Sequence, residues 1–401
     1  MITRNVYLDR YKKYINLNLV KVITGIRRSG KTYFMKQIID FLINDKKVSE
    51  ENILYIDKED LEFDFIKDYV SLNNYITEKF QNIQGKKYLL IDEIQDILQW
   101  EKLIRSYVKD NDYDIYITGS NSNLLSGELA TYLTGRYIQL HIYPLTFQEF
   151  IEFRGNNQGT IKVEFENYLK YGGLPAIHKM DFDDEIIYSY ISGVFHSILF
   201  KDIVTRYNIR NSSLLLDVFK YLSDNIGNIV SSKKISDYLK NEKISMSIDS
   251  LREYLMYFQN VFLLNKAQRY DIKGKKLLDL YEKYYLGDLG FRNYLLGYKK
   301  GDISQLLENV IFLELKSRGY EVTIGKVDNL EVDFIAKKDG RIDYYQVTYM
   351  LLNQDTIKRE FGVFENISDN YPKFVLSMDE IFDNNFNGII RKNIIDWLLD
   401  K

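Results

Sequence analysis

The chain has no cysteine and only 3 prolines among its 401 residues. Without thiols it forms no disulfide, no thiolate metal site and no cysteine nucleophile, which agrees with a cytoplasmic location. No sign of charge dominates either: 54 Lys and Arg against 57 Asp and Glu leave a net charge of −3. No global field therefore draws the chain to nucleic acid or to an anionic membrane, and any nucleic-acid surface has to be a local basic patch. Long uncharged apolar runs are missing, so no segment reads as a membrane span, and Met1-Ile2-Thr3-Arg4 does not read as the start of a signal peptide. There is no internal repeat and no low-complexity tail. What remains is 45% hydrophobic and 28% charged, an ordinary globular composition with room for two or three domains. The 34 tyrosines are read as a compositional habit rather than a binding signature.

One stretch carries chemistry on its own. Gly25-Ile26-Arg27-Arg28-Ser29-Gly30-Lys31-Thr32 satisfies G-x-x-x-x-G-K-[ST], the phosphate-cradling P-loop. The β-prone run Val20–Ile23 leads into it and a helical pattern from Lys31 to Leu42 follows. That context places backbone N–H groups and a helix N-terminus around one anion. The expected nucleotide-binding set is Gly25, Arg28, Ser29, Gly30, Lys31, Thr32 and Tyr33. Lys31 is expected to reach the β- and γ-phosphates of ATP, and the Thr32 hydroxyl to ligate Mg²⁺. Arg27 and Arg28 are expected to line the nucleotide mouth or a subunit edge.

Strand-like runs alternate with helical patterns up to about residue 145: Val20–Ile23, Ile53–Ile56, Tyr88–Ile91, Asp114–Thr118 and Tyr137–Ile142. Short continuous apolar strands of this kind belong to parallel sheets covered on both faces, so a doubly wound α/β sheet is expected. The third run ends in Asp92-Glu93, two carboxylates at a strand's C-terminal end. Asp92 is expected to hold Mg²⁺ beside Thr32, and Glu93 to act as general base on the attacking water. The fourth run ends at Thr118-Gly119-Ser120-Asn121, where Asn121, with Ser120 second, is the candidate γ-phosphate contact.

These motifs, followed by Leu133-Thr134-Gly135-Arg136, Pro144-Leu145-Thr146-Phe147-Gln148-Glu149-Phe150, Tyr171-Gly172-Gly173-Leu174-Pro175 and Lys201-Asp202-Ile203, give the whole chain a resemblance to a prokaryotic family. It resembles the AAA+-type ATPases that pair an AAA_14 domain with a C-terminal DUF4143 region. The resemblance implies that Arg136 is an arginine finger offered in trans to a neighbouring subunit, hence a homo-oligomer. It also implies that the mostly helical stretch after Phe147 is a lid over the nucleotide.

Helical patterns at Leu214–Ile226, Lys234–Leu239 and Ser247–Gln259, then strand-like Phe262–Arg269 and Lys276–Leu280 around a basic turn, predict a winged helix-turn-helix. Its candidate phosphate contacts are Lys233, Lys234, Lys240, Lys243, Arg252, Lys273, Lys275 and Lys276. Beyond Leu306 the pattern looks like a restriction-endonuclease-like core with Glu308 on the helix and Asp333 on a strand. Gln346-Val347-Thr348 stands where acid-x-Lys is expected, leaving two carboxylates and no cation, so the nuclease-like fold is expected to be inactive.

The expected architecture is thus a P-loop ATPase core over 1–146, a helical lid over 147–210, a winged helix over 211–295 and a nuclease-like α/β domain over 296–401. The expected activity is Mg²⁺-dependent ATP hydrolysis coupled to a DNA-associated C-terminal half. The alternative is a nucleotide-switched module that turns over slowly and recognises a protein partner.

Overall fold

Continuous apolar runs become buried strands when both faces of a sheet are covered; the first 142 residues supply five strands, of which β1, β3 and β4 are buried almost throughout, while β2 and β5 are partly exposed. The strands are β1 (Val20–Thr24), β2 (Ile53–Asp57), β3 (Lys87–Asp92), β4 (Tyr113–Gly119) and β5 (Tyr137–His141). They pair in parallel in the order β2-β3-β4-β1-β5. The computed structural model describes residues 2–122, 133, 135–155, 159–241, 246–351, 353–380 and 385–400; the predicted Thr134 and Lys243 lie outside them.

Alternate side chains of these strands feed two separate cores. Val20, Val22, Ile56, Leu89, Ile91, Ile115 and Ile117 pack with Leu72 and Ile76 of α3 (Tyr69–Lys79) and Leu103 and Ile104 of α4 (Trp100–Tyr107). Ile23, Leu90 and Tyr116 pack on the other face with Tyr7 and Tyr11 of α1 (Asn5–Lys12) and Phe34, Met35 and Ile38 of α2 (Lys31–Asn44). Each such aliphatic side chain contributes about 1.5–3 kcal/mol by leaving water. Helices on both faces of a parallel sheet give the expected doubly wound fold.

The chain divides into two compact units, Met1–Ile142 with Asn260–Phe262, and Tyr143–Gln259 with Leu263–Lys401. The second unit opens with α5 (Phe147–Arg154), α6 (Ile161–Tyr171) and α7 (Asp184–Ser197), the last running on as wider π-type turns over Ile198–Thr205. Then come α8 (Ser212–Asp224), β6 (Ile229–Val230), α9 (Ser232–Asn241), α10 (Ile248–Asn260) and the hairpin β7 (Leu264–Asp271) and β8 (Lys276–Leu286). After α11 (Leu289–Leu296) and α12 (Ile303–Ser317) follow β9 (Glu321–Val327), β10 (Leu330–Lys338), β11 (Arg341–Val347), α13 (Gln354–Glu365), β12 (Lys373–Ser377), β13 (Asn385–Phe386), β14 (Ile389–Asn393) and α14 (Ile394–Leu398).

The strands of this unit form one sheet in the order β13-β14-β12-β11-β10-β9-β7-β8-β6. β7 lies parallel to β9, with Arg269 opposite Ile324. The expected boundary at residues 295 and 296 is therefore crossed by a continuous sheet, a long-range pairing that local sequence pattern does not reveal.

Two motifs of the resemblance close on each other here. The Leu145 N–H donates to the Gly173 carbonyl at 2.7 Å, and the Tyr168 hydroxyl donates to the Leu145 carbonyl at 2.9 Å. Thr146 and Glu149 form a reciprocal capping box on α5. The Gly173 N–H donates to buried Asp288 at 2.8 Å, and Gly172, at φ 77°, leaves no room for a Cβ against that carboxylate. The Pro-Leu-Thr-Phe-Gln-Glu-Phe and Tyr-Gly-Gly-Leu-Pro motifs are thus a structural joint.

Candidate nucleotide site and a buried acidic cluster

The loop from Thr24 to Lys31 turns from the end of β1 into α2. Gly30 sits at φ 100°, the left-handed region that glycine reaches without strain. At Gly25 a Cβ would overlap the Ile142 carbonyl oxygen, so close approach of two backbones demands glycine there. Arg28 itself is left-handed, at φ 67°. The Lys31 ammonium donates to the Gly25 and Ile26 carbonyls at 3.1 and 3.3 Å and stands 3.8 Å from Glu93.

At the end of β3, Asp92 is almost fully buried. It accepts hydrogen bonds from the hydroxyls of Thr118, of Thr32 and, at 3.3 Å, of Tyr55. Burial raises its pKa above the ordinary carboxylate range, although the hydrogen bonds from Thr118 and Thr32 oppose the rise. Glu93 is left-handed at φ 51°, and its N–H donates to the Thr118 hydroxyl at 3.0 Å. Gln95 donates to the Glu93 carboxylate. Thr118, at the end of β4, thus ties the Asp92 carboxylate and the Glu93 backbone to the strand between β3 and β1.

Lys31, Thr32, Asp92 and Glu93 come together as expected. Ser120 and Asn121 are buried at the end of β4, and the Ser120 and Ser29 hydroxyl oxygens have no hydrogen-bond partner among the described residues. Orphaned buried hydroxyls, a turn held by Gly25 and Gly30, and a hydroxyl beside a carboxylate fit a nucleoside triphosphate with Mg²⁺. Arg28 and Tyr33 are exposed, and Arg27 pairs with Glu59 at 3.3 Å.

Arg136 is not part of this cluster. It precedes β5, and its carbonyl accepts from the N–H of Val20, the first residue of β1, at 2.9 Å. That is the opposite end of the strand from the P-loop.

Sequence reasoning missed Arg4. It is buried, and its guanidinium donates to the Ser29 carbonyl at 3.2 Å. Its own N–H donates to Gln37 of α2 at 3.2 Å, which docks the segment before α1 under the P-loop. Nothing in the sequence around Arg4 signals this burial.

In the second unit, Glu308 of α12 and Asp333 of β10 do come together, and the expectation of no cation is wrong. Lys283 of β8, with 4% of its side chain exposed, places its ammonium 2.9 Å from Glu308 and 2.7 Å from Glu331. The Tyr285 hydroxyl donates to Glu308 at 2.6 Å. A register shift between Val332 and Ile335 marks a bulge at Asp333, whose carboxylate accepts from the Val347 N–H at 2.8 Å. Burial, then the charge of Glu308, pushes the Asp333 pKa up, while Lys283 opposes the rise. The cation was missed because it comes from the region assigned to the winged helix, three residues beyond the expected strand Lys276–Leu280.

The basic residues assigned to DNA are partly engaged. Lys273 pairs with Asp328 at 2.6 Å, and Arg252 with Asp249 at 3.5 Å. Among the described residues no helix is long and apolar enough to cross a membrane.

Residues 17–151 match the AAA domain family AAA_14, and residues 162–302 match a domain of unknown function, DUF8612, rather than the DUF4143 region implied by the motif series. An uncharacterized protein of Haemophilus influenzae is 38% identical over 401 residues, covering 100% of this chain and 99% of its own length. The uncharacterized protein MJ1544 of Methanocaldococcus jannaschii is 35% identical over 364 residues, covering 87% of this chain and 78% of its own. Among solved structures, the Walker-type ATPase PABY2304 of Pyrococcus abyssi shares the fold, with a TM-score of 0.51 at 14% identity over 73% of this chain and 95% of that one.

Proposed function

This chain belongs to one family with the Haemophilus influenzae protein and MJ1544, its N-terminal part is a P-loop ATPase domain of the AAA type, and we propose that it hydrolyses ATP with Mg²⁺ to drive its second unit. The observation that carries the reading is Thr118, which fixes both Asp92 and Glu93 beside Lys31. In this reading the Gly25–Thr32 backbone cradles the phosphates and Lys31 reaches the β- and γ-phosphates. Thr32 and Asp92 hold Mg²⁺, which supplies neutralising charge to the phosphate oxygens. Glu93 takes the proton of the attacking water, and Asn121 and Ser120 orient the γ-phosphate side. Arg136 serves a neighbouring copy, so the working form is a homo-oligomer, and the location is cytoplasmic.

The test is a pair of variants. Lys31→Ala is expected to lose nucleotide binding and turnover together. Glu93→Gln is expected to lower turnover by roughly 10²–10⁴ while keeping ATP affinity, because the phosphate contacts and Asp92 remain. Unchanged turnover in either variant sinks the assignment.

For the second unit we read residues 147–210 as a lid, 211–295 as a winged helix and 296–401 as a nuclease-like core that engages DNA. The order of α8, β6, α9, α10, β7 and β8, with β6 antiparallel to β8, supports the winged-helix part. The ion pairs of Lys273 and Arg252 favour the second reading, a protein partner and slow turnover. A DNA titration over salt, with and without ATP, separates them. A steep loss of affinity with salt supports phosphate contacts, and no binding at low salt supports the protein partner.

A further inference from the structure

Gln95 stands two residues beyond Glu93, and the turn between them brings the two side chains back together. Glu93 opens a single 3₁₀ turn over Ile94–Asp96. The Asp96 N–H donates to the Glu93 carbonyl and the Ile97 N–H to the Ile94 carbonyl, both at 3.1 Å. Ile94 and Ile97 are buried in the core that holds Leu72 of α3 and Leu103 of α4. With both isoleucines anchored there the turn is fixed, and the Gln95 amide reaches the Glu93 carboxylate. The two oxygens of that carboxylate are divided: Oε1 faces the Lys31 ammonium at 3.8 Å, and Oε2 accepts from Gln95.

The contact has one chemical sense. An ionised carboxylate has no hydrogen to give, so Gln95 Nε2 donates and the amide oxygen Oε1 is left for another partner. That oxygen is buried and accepts from nothing among the described residues. A buried amide oxygen without a donor costs folding free energy, and one retained beside a reaction centre calls for a donor that comes with the reaction. The Ser29 and Ser120 hydroxyls, orphaned in the same way, have hydrogens to offer to phosphate. Gln95 Oε1 has none, and an acceptor is repelled by phosphate oxygens. The donor that the reaction brings to Glu93 is water.

We propose that Gln95 orients the attacking water together with Glu93: its Nε2 holds the carboxylate, and its Oε1 accepts one hydrogen of the water whose other hydrogen goes to Glu93. The proposal rests on the ATPase reading of this site and adds a residue to it. In the step, the water oxygen forms a bond to the γ-phosphorus, the bond to the β,γ-bridging oxygen breaks, and ADP leaves with that electron pair. One water proton passes to the Glu93 carboxylate, and the other stays on the inorganic phosphate. Two acceptors joined by one hydrogen bond aim the water's lone pair at phosphorus, whereas Glu93 alone leaves the water free to turn about a single hydrogen bond.

The test compares the full chain with Gln95→Met, Glu93→Gln and the double variant, by single-turnover hydrolysis with enzyme in excess and by calorimetric ATP binding. Gln95→Met, close in shape to glutamine, is expected to keep the wild-type affinity for ATP and to lose on the order of 100-fold in rate. In Glu93→Gln the water has already lost its base, so adding Gln95→Met is expected to cost no more than about twofold further, a non-additivity that a purely structural role does not give. ATP binding reports that each variant is folded, and if Gln95→Met is not, Gln95→Ala carries the same comparison. A wild-type rate in Gln95→Met beside a slow Glu93→Gln overturns the role of Gln95 and leaves the ATPase reading standing. Full additivity in the double variant, or a loss of affinity as large as the loss of rate, overturns it too. A wild-type rate in Glu93→Gln itself removes the reading on which the proposal rests.

Discussion

Thr118 joins Asp92 and Glu93, the two residues expected to hold Mg²⁺ and to activate water, although it stands outside the expected site set. Its hydroxyl donates to Asp92 and accepts the Glu93 N–H, so it fixes the strained, left-handed turn between the two carboxylates. Thr118→Val keeps the branched shape but removes both bonds inside a buried site. The expected result is a loss of about 1–3 kcal/mol in stability and a fall of about 10–100-fold in turnover. Turnover equal to wild type in a folded Thr118→Val chain would contradict this role. Arg4 acts on the other wall. Its guanidinium holds the Ser29 carbonyl, and with it the peptide that leads into Gly30 and Lys31. Arg4→Met is expected to weaken ATP binding about tenfold, since a charged hydrogen bond of about 1.5 kcal/mol is lost. Arg4→Lys is expected to recover part of that affinity. Equal affinity of Arg4→Met and wild type, measured by calorimetry, would show that the P-loop keeps its shape without Arg4.

Among the elements, the joint between α6 and α11 is set by one carboxyl group. Asp288 accepts from the Gly173 and Gly290 N–H groups, both at 2.8 Å, yet burial outweighs these bonds and raises its pKa to about 7. Glu314 of α12 is also raised by burial to about 7, against the pull of Arg318. A carboxyl raised in the folded state stabilises fully below the ordinary carboxylate range, and that contribution is lost as pH rises through about 7. The thermal midpoint of the chain is therefore expected to fall between about pH 5 and pH 8. Asp288→Asn is expected to lower it at pH 5, where one N–H loses its acceptor, and to flatten the slope above. A slope unchanged in Asp288→Asn would exclude Asp288 as its source. The elements themselves were largely legible. Parallel strands buried on both faces write themselves as continuous apolar runs, and the P-loop and Asp92-Glu93 mark two strand ends. The residues that sequence missed, Arg4, Tyr55, Lys283 and Asp288, act on partners 25 to 115 positions away, where no periodicity reaches. For the same reason the parallel pairing of β7 with β9 was hidden, although the strand that became β7 was expected.

At the scale of the whole molecule, the place of Arg136 separates two kinds of assembly. It sits before β5 beside Val20, while the P-loop follows Thr24 at the far end of β1, about 15 Å away along the strand. A side chain on that end of the sheet does not reach its own nucleotide site. A finger that does chemistry from there has to serve another copy, through a head-to-tail contact in which each subunit gives an arginine and receives one. Arg136→Ala is then expected to lose on the order of 10³-fold or more in turnover without losing ATP affinity. Mixing supplies the decisive comparison. Lys31→Ala has an intact Arg136 and no working P-loop, and Arg136→Ala has the reverse. Each alone is expected to be inactive, and an equimolar mixture to regain turnover at roughly a quarter of its interfaces, those that place the intact arginine against the intact P-loop. No recovery on mixing, with both variants shown to co-assemble, would remove Arg136 from the reaction. Full turnover of Arg136→Ala alone would make the ATPase independent of its neighbours.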